Sequence, residues 1–192
     1  MKHKILCGDL TKDMNKLMGN EKADVIYSDP PWNNNWITIF RKRAGVTGKK
    51  QDIETFLKIY CKELKKYSKG IVYIEFGVNI KLLQKILKDE GATQLNLWEL
   101  PLRKGKQYIW RGYFHKGNYK KIISIPNKNI SNRNICKWLV EQDKVEGGIL
   151  LDPCIGKGMS YYLAKSANMN CYGLELSQSK VDKLLLKINN KS

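Results

Sequence analysis

The sequence predicts an α/β protein built on a mostly parallel sheet with helices on both faces. Three observations carry that prediction. Short β-type runs alternate with amphipathic helical runs along the whole chain, the pattern of strands joined by helical crossovers. Two of the strand-like runs end in turns made of chain-breaking residues. Ala23–Tyr27 leads into Ser28-Asp29-Pro30-Pro31-Trp32, and Gly147–Leu151 leads into Asp152-Pro153-Cys154-Ile155-Gly156-Lys157-Gly158. The second of these turns sits between a strand and a helix, and an acidic residue, Glu175, closes the next strand-like run.

The elements follow in order. His3–Cys7 reads as a strand. Thr11–Met18 reads as a short helix, with Leu10, Met14, Leu17 and Met18 on one face. Asp24–Tyr27 is a strand ending at the proline pair. Asn33–Lys50 is polar, basic and Gly-containing and reads as a loop. Ile53–Tyr67 places Ile53, Phe56, Leu57, Tyr60, Cys61 and Leu64 at helical spacing, and Gly70 ends it. Ile71–Phe76 is a buried strand, and Asn79 caps a helix over Ile80–Asp89 that stops near Gly91. Thr93–Leu100 and Lys120–Pro126 are two more strands around a basic, aromatic connection. Asn132–Gln142 is a helix carrying Ile135, Trp138 and Leu139. The strand Ile149–Leu151, the helix Ser160–Ala167, the strand Asn170–Leu174 and the helix Lys180–Ile188 complete the chain. Neither an internal repeat nor a Ser- or Pro-rich linker interrupts it. One domain over residues 1–192, with halves 1–126 and 127–192, is the economical reading.

Composition narrows the class. A length of 192 residues is enough to bury a core. Lys and Arg number 35 against 18 Asp and Glu, a net charge of +17. Such an excess suits a polyanionic partner, whose phosphates basic side chains neutralise; abundant Lys and Asn from an AT-rich coding sequence is the alternative. The five cysteines form no C-x-x-C pair, so neither a disulfide framework nor a zinc site is expected, and a cytoplasmic setting fits. Two histidines are too few for a typical catalytic zinc site, and no metal is expected. The N-terminus lacks the apolar stretch of a signal peptide. No run approaches the roughly 18 apolar residues of a membrane span.

Two motifs carry chemistry. Gly156 and Gly158 permit positive φ and a close approach of backbone to a ligand. A lone G-x-G is weak, but Glu175 follows about twenty residues on, where a βαβ unit places a carboxylate for ribose hydroxyls. An ordinary turn and a dinucleotide oxidoreductase are the alternatives, the latter disfavoured by the missing fuller G-x-G-x-x-G. The other motif sets the Asp29 carboxylate beside two stiff prolines and the flat face of Trp32. That set can hold and stack a planar amine; a plain turn after a strand is the alternative.

Taken together, and in this order, the motifs resemble the β-class DNA amino-methyltransferases that use S-adenosylmethionine (SAM), in which the catalytic motif precedes the cofactor motif. The resemblance spans Gly8-Asp9 through Glu175. It implies a Rossmann-like SAM methyltransferase fold with a mostly parallel seven-stranded sheet and permuted motif order. It further implies that Asp29 and the Pro30 carbonyl accept the two N–H bonds of a nucleobase amine, freeing its lone pair, while Pro31 stiffens the turn and Trp32 stacks the base. Asp152, Pro153, Cys154, Gly156, Gly158 and Glu175 are implied for SAM, with Cys154 standing where the family usually has Phe. Asp9 lies in the family's Gly-Asp element beside the cofactor adenine; capping of the helix near Thr11 is an equal alternative. Asp rather than Ser in the catalytic motif leans toward adenine N6 over cytosine N4. The Trp ending also occurs in RNA adenosine methyltransferases, so RNA is the nearest competitor to DNA, and a degenerate fold serving only as a nucleic-acid-binding subunit is a third reading.

A base in duplex DNA must be flipped out to be methylated. Two basic segments are candidates for the contacts. One follows the catalytic turn, with Arg41, Lys42, Arg43, Lys49 and Lys50. The other, Arg103–Lys121, interleaves Tyr108, Trp110, Arg111, Tyr113 and Phe114; a solvated hairpin whose aromatics cap the core is the bland alternative. The target-recognition insertion of many β-class enzymes has no counterpart of similar length here. A very short site, loose specificity, or a homodimer or partner subunit would follow.

Overall fold

The computed structural model describes residues 1–47, 51–102, 105–120, 123–125 and 131–190. Its elements are β1 (His3–Cys7), α1 (Leu10–Met18), β2 (Ala23–Ser28), α2 (Asn34–Arg43), α3 (Ile53–Tyr67), β3 (Ser68–Phe76), α4 (Ile80–Asp89), β4 (Thr93–Leu102), β5 (Gly105–Tyr113), α5 (Asn132–Asp143), β6 (Ile149–Asp152), α6 (Met159–Ser166), β7 (Asn170–Glu175) and α7 (Gln178–Asn189). The seven strands form one sheet in the order β1-β7-β6-β2-β3-β5-β4. The pairs β1–β7, β7–β6, β6–β2 and β2–β3 are parallel, whereas β5 is antiparallel to both β3 and β4. Only β5 runs against the rest.

The alternation of strand side chains divides the core into two layers. Val25, Tyr27, Ile71, Tyr73, Ile109 and Leu150 face one layer, where α5, α6 and α7 contribute Leu139, Leu163 and Leu184. Ile26, Val72, Ile74, Trp110 and Leu151 face the other, against Leu17 of α1, Leu57 and Leu64 of α3 and Leu83 of α4. The sheet is therefore covered on both sides, as its near-continuous apolar strands require. Among the described residues no helix is long and apolar enough to cross a membrane.

Two expectations from the sequence are corrected. The segment Asn33–Lys50 is not a loop throughout: Asn34–Arg43 is a helix, started by the Asn33 side chain, which accepts from the Trp36 amide at 3.0 Å. Only Ile37 of this helix is buried, so it carries no apolar stripe to announce it. Lys49 and Lys50 lie outside the described residues. The second correction concerns Lys120–Pro126. Lys120 and residues 123–125 are not in a strand, and the remainder lies outside the described residues. The strand is instead Gly105–Tyr113, inside the segment read as a basic connection. It runs between β3 and β4, with Gln107, Ile109, Trp110 and Arg111 buried.

That position also corrects the assignment of Trp110 and Arg111 to nucleic-acid contact. Trp110 is 1% exposed and packs in the core. The Arg111 side chain is fully buried and holds Asp143 of α5 with a two-pronged pair, Nε to Oδ2 at 2.8 Å and Nη2 to Oδ1 at 2.7 Å. Its Nη1 donates to Asn96 of β4 at 2.9 Å and to the Lys120 carbonyl at 2.8 Å. Tyr73 of β3 donates to the same Asp143. The guanidinium is a tie among three strands and a helix, and it does not reach the surface.

Candidate active site

The carboxyl ends of the central strands open into a cleft of about 640 Å³ that both sequence motifs line. Asp9, Asp29, Pro31 and Trp32 come from the first half of the chain; Asp152, Pro153, Cys154, Gly156 and Glu175 come from the second. Pro30 joins Asp29, Pro31, Trp32, Trp36 and Phe40 around an adjoining hollow of about 220 Å³. Gly158 lies behind the turn rather than on the cleft wall.

The glycine turn is built to be tight on one side and open on the other. Gly158 has φ +86°, and a Cβ there would stand 2.2 Å from Leu184 of α7, so only glycine lets α6 and α7 meet. Gly156 has φ +52°, and a Cβ there would meet nothing nearer than the Cys154 carbonyl at 3.6 Å. Its open side is the cleft. Asp152 braces the turn: Oδ1 accepts from the Cys154 amide at 2.9 Å and Oδ2 from the Ser160 hydroxyl at 2.6 Å. Both carboxylate oxygens are engaged, so its contribution to a ligand is to hold the loop in shape. Glu175 ends β7 with Oε1 accepting from the Ser177 amide at 2.9 Å and paired to Lys180 at 3.3 Å. Asp9 caps α1, its Oδ1 accepting from the Thr11 amide at 2.9 Å, and also lines the cleft. The helix-capping role is observed.

On the side of the proline turn, the prolines cannot donate to a sheet ladder, so β2 stops at Ser28 and the chain turns into the cleft. Trp32 donates from Nε1 to Asp29 Oδ1 at 2.8 Å. The Trp32 ring lies against Gly77, where a Cβ would stand 2.1 Å from Cε3 and Cζ3. Gly77→Ala is therefore expected to displace the ring and release Asp29, lowering turnover by about ten-fold or more. Tryptophan fluorescence and a rate assay check it together, and an unchanged rate would show that the ring position does not matter.

Helix α2 lines the cleft with Trp36, Ile37, Phe40, Arg41 and Arg43. Arg41 reaches Asp9 at 3.7 Å, and Lys180 of α7 stands 4.8 Å from the centre of the Phe40 ring. Trp36 stacks on Phe40 at 5.4 Å. Of the three basic residues read as nucleic-acid contacts, Arg41 is half-buried, whereas Lys42 and Arg43 are exposed.

Three carboxyl groups sit close together here. Asp29 opens on the cleft, but the surrounding protein pushes its pKa up to about 6, against the hydrogen bond from Trp32. Burial pushes Asp152 up to about 7, with Ser160 and Cys154 pulling down. Burial and then the charge of Asp29 push Glu75 of β3 up to about 7. A carboxyl whose folded-state pKa is raised stabilises the fold at low pH and loses that contribution as pH climbs from its unfolded value through the folded one. Stability should fall between about pH 4.5 and 7 on account of Glu75, by on the order of 3 kcal/mol. Glu75→Gln should remove this part of the slope and melt higher than the wild type at pH 8. Thermal melts of the two proteins from pH 5 to 8 measure it, and parallel curves would rule it out.

No family model and no curated protein sequence matches the chain. Solved structures do. M1.HpyAVI matches with a TM-score of 0.68 at 15% identity, over 97% of this chain and 99% of that one; its complex with SAM matches as well. TTHA0409 from Thermus thermophilus, a candidate DNA modification methylase in complex with SAM, gives 0.71 at 15% identity over 96% and 92%. The cytosine-N4-specific PvuII DNA methyltransferase gives 0.70 at 10% identity over 97% and 86%. The chain shares their fold.

Several cleft residues escaped the sequence reading. Glu75, Gln107 and Tyr27 line its floor, and Trp36, Phe40 and Lys180 line its rim. Glu75 left a trace, as a lone acid inside the apolar run Ile71–Phe76, where an unpaired charge is rare. Gln107 left none.

Proposed function

We propose that the protein is a SAM-dependent methyltransferase acting on the exocyclic N6 amine of adenine in DNA. The observation that carries this reading is the meeting of Asp29 and Trp32 with the glycine turn and Glu175 in one cleft. The residues present fit the cofactor. Gly156 leaves its open side to the cleft and Glu175 stands at the end of β7, so the turn would take the amino-acid part and Glu175 the ribose. SAM brings a methyl group on a positively charged sulfur. The protein's task is to present the amine to it. Trp32 occupies Asp29 Oδ1, so Oδ2 is the oxygen offered to one N–H of the base. The Pro30 carbonyl would take the other N–H, leaving the lone pair of the nitrogen free for the methyl; the sulfur–methyl bond would break as the N–C bond forms, and the amine would give up one proton to solvent. The Asp29 charge stabilises the positive charge that grows on that nitrogen.

DNA is favoured by the net charge of +17 and by exposed Lys42 and Arg43 beside the catalytic turn. Adenine is favoured by Asp rather than Ser in the catalytic motif. A second copy or a partner subunit would supply contacts that the short connection between the halves does not. The test is transfer of labelled methyl from SAM to unmethylated duplex DNA and to RNA of the same sequence, read by nucleoside mass spectrometry. N6-methyladenine in DNA is the expected product. N4-methylcytosine would correct the base, methyl on RNA alone would correct the substrate, and SAM binding without transfer to either would overturn the reading.

A further inference from the structure

Helix α2 carries aromatic residues that its packing does not require. It gives Ile37 alone to the core. Trp36 is left 42% exposed and Phe40 half-buried. The two rings stack with centres 5.4 Å apart, as side chains four apart on a helix can. Lys180 of α7 also stands over the Phe40 ring, 4.8 Å from its centre, and pairs with Glu175 at 3.3 Å. Phe40 is therefore held from two directions, whereas Trp36 keeps open ring surface. Arg41, Lys42 and Arg43 follow in the last turn of the helix. An open flat ring followed by three cations is a combination that stacks bases and holds phosphates.

The hollow of about 220 Å³ that Trp36 and Phe40 share with Asp29, Pro30, Pro31 and Trp32 has its own chemistry. Asp29 is the one ionisable side chain on its lining; the others are three aromatic rings and two prolines. Trp32 is fixed there, with Nε1 on Asp29 Oδ1 and its six-membered ring against Gly77. Such walls fit a flat, uncharged ring with an N–H at its edge. They do not fit the charged amino-acid end of SAM, and Gly156 and Glu175 line the larger cleft but not the hollow. Asp29, Pro31, Trp32, Trp36 and Phe40 line both spaces, which therefore adjoin at the proline turn.

We infer that this hollow is the slot for the flipped target base, with Trp32 as one aromatic wall and Trp36 as the other. Phe40 is a positioning residue for Trp36. The inference rests on the reading of the cleft as a methyltransferase site. SAM occupies the larger cleft from the side of the glycine turn, the base enters the hollow from the side of α2, and the two meet at Asp29. Lys42 and Arg43, exposed on the same helix, take phosphates beside the flipped nucleotide. Stacking accepts the flat face of any base, so this wall holds the flipped ring without reading sequence. Choice among bases is left to the groups at the ring's edge.

The experiment measures kcat and KM for methyl transfer from SAM to random-sequence unmethylated duplex DNA, with SAM affinity by calorimetry and melting temperature on the same proteins. Trp36→Leu should lower kcat/KM for DNA by about ten-fold or more, the usual effect of losing one base–aromatic stack. Trp36→Phe keeps a flat ring and should recover most of that loss. SAM affinity and melting temperature should not change in either, because Trp36 touches neither the glycine turn nor the core. The salt dependence of DNA binding should keep its slope in Trp36→Leu, which removes no charge, and lose about one unit in Lys42→Gln. Ile39→Ser, on the same helix but on the lining of neither space, should match the wild type. A leucine tolerated at position 36 would overturn the inference, since a side chain that only wedges into the duplex can be leucine as well. Weakened SAM binding in Trp36→Leu would place the ring at the cofactor and overturn it too, as would an Ile39→Ser protein equally impaired. A wild type that transfers no methyl would overturn both this inference and the proposed function, whereas an active wild type with an unresponsive Trp36→Leu variant would overturn this one alone.

Discussion

Replacing Asp29 with alanine is expected to slow methyl transfer to DNA by about 10²–10³-fold, the usual cost of removing one group aimed at developing charge. SAM affinity should stay within a few-fold, because the glycine turn and Glu175 are untouched. Among the described residues the Asp29 side chain accepts one hydrogen bond, from Trp32, so its removal leaves the fold with little to lose. Asp29→Asn separates charge from geometry. It keeps an acceptor oxygen, yet it cannot titrate. The wild-type rate should fall as pH drops through about 6, where Asp29 takes up a proton. The Asp29→Asn variant should be slower at pH 8 and lack that acid limb. A folded Asp29→Ala protein with a near-normal rate would end the proposed mechanism.

The largest expected effect on stability comes from the buried tie between β5 and α5. Arg111→Met leaves Asp143, 7% exposed in its side chain, as an uncompensated buried charge. The loss should be roughly 3–5 kcal/mol, or roughly 6–20 °C in melting temperature for a chain of this size. Asp143→Ala should cost about as much. The double variant Arg111→Met/Asp143→Leu should recover most of it, because an apolar pair of similar volume needs no partner. DNA affinity of the folded single variant should match the wild type. Reduced DNA binding with an unchanged melting temperature would instead return Arg111 to the surface.

How legible the chain was depended on which residues had to speak. Helices with a buried stripe announced themselves: α3 buries Phe56, Leu57, Tyr60, Cys61 and Leu64 along one face. Helix α2 buries Ile37 alone, so hydrophobic periodicity passed it by. The strand β5 contains Lys106, Tyr108, Trp110 and Arg111, residues whose polarity suggests a surface. Burial of Arg111 became tolerable only because Asp143, Asn96 and the Lys120 carbonyl converge on it from elsewhere in the chain.

The sequence by itself determined the α/β class, most element positions and the two turns that line the cleft. Those features are local: apolar alternation makes strands, prolines stop β2, and glycines permit the φ values of +52° and +86° at positions 156 and 158. Tertiary structure alone decided which residues meet. It placed Glu75 beside Asp29 and Gln107 beyond it, set Gly77 under the Trp32 ring, brought α2 to the cleft wall and buried Arg111. The environment of a buried polar side chain is supplied by residues distant in sequence, and strand order, which brings them together, is not written in any one segment.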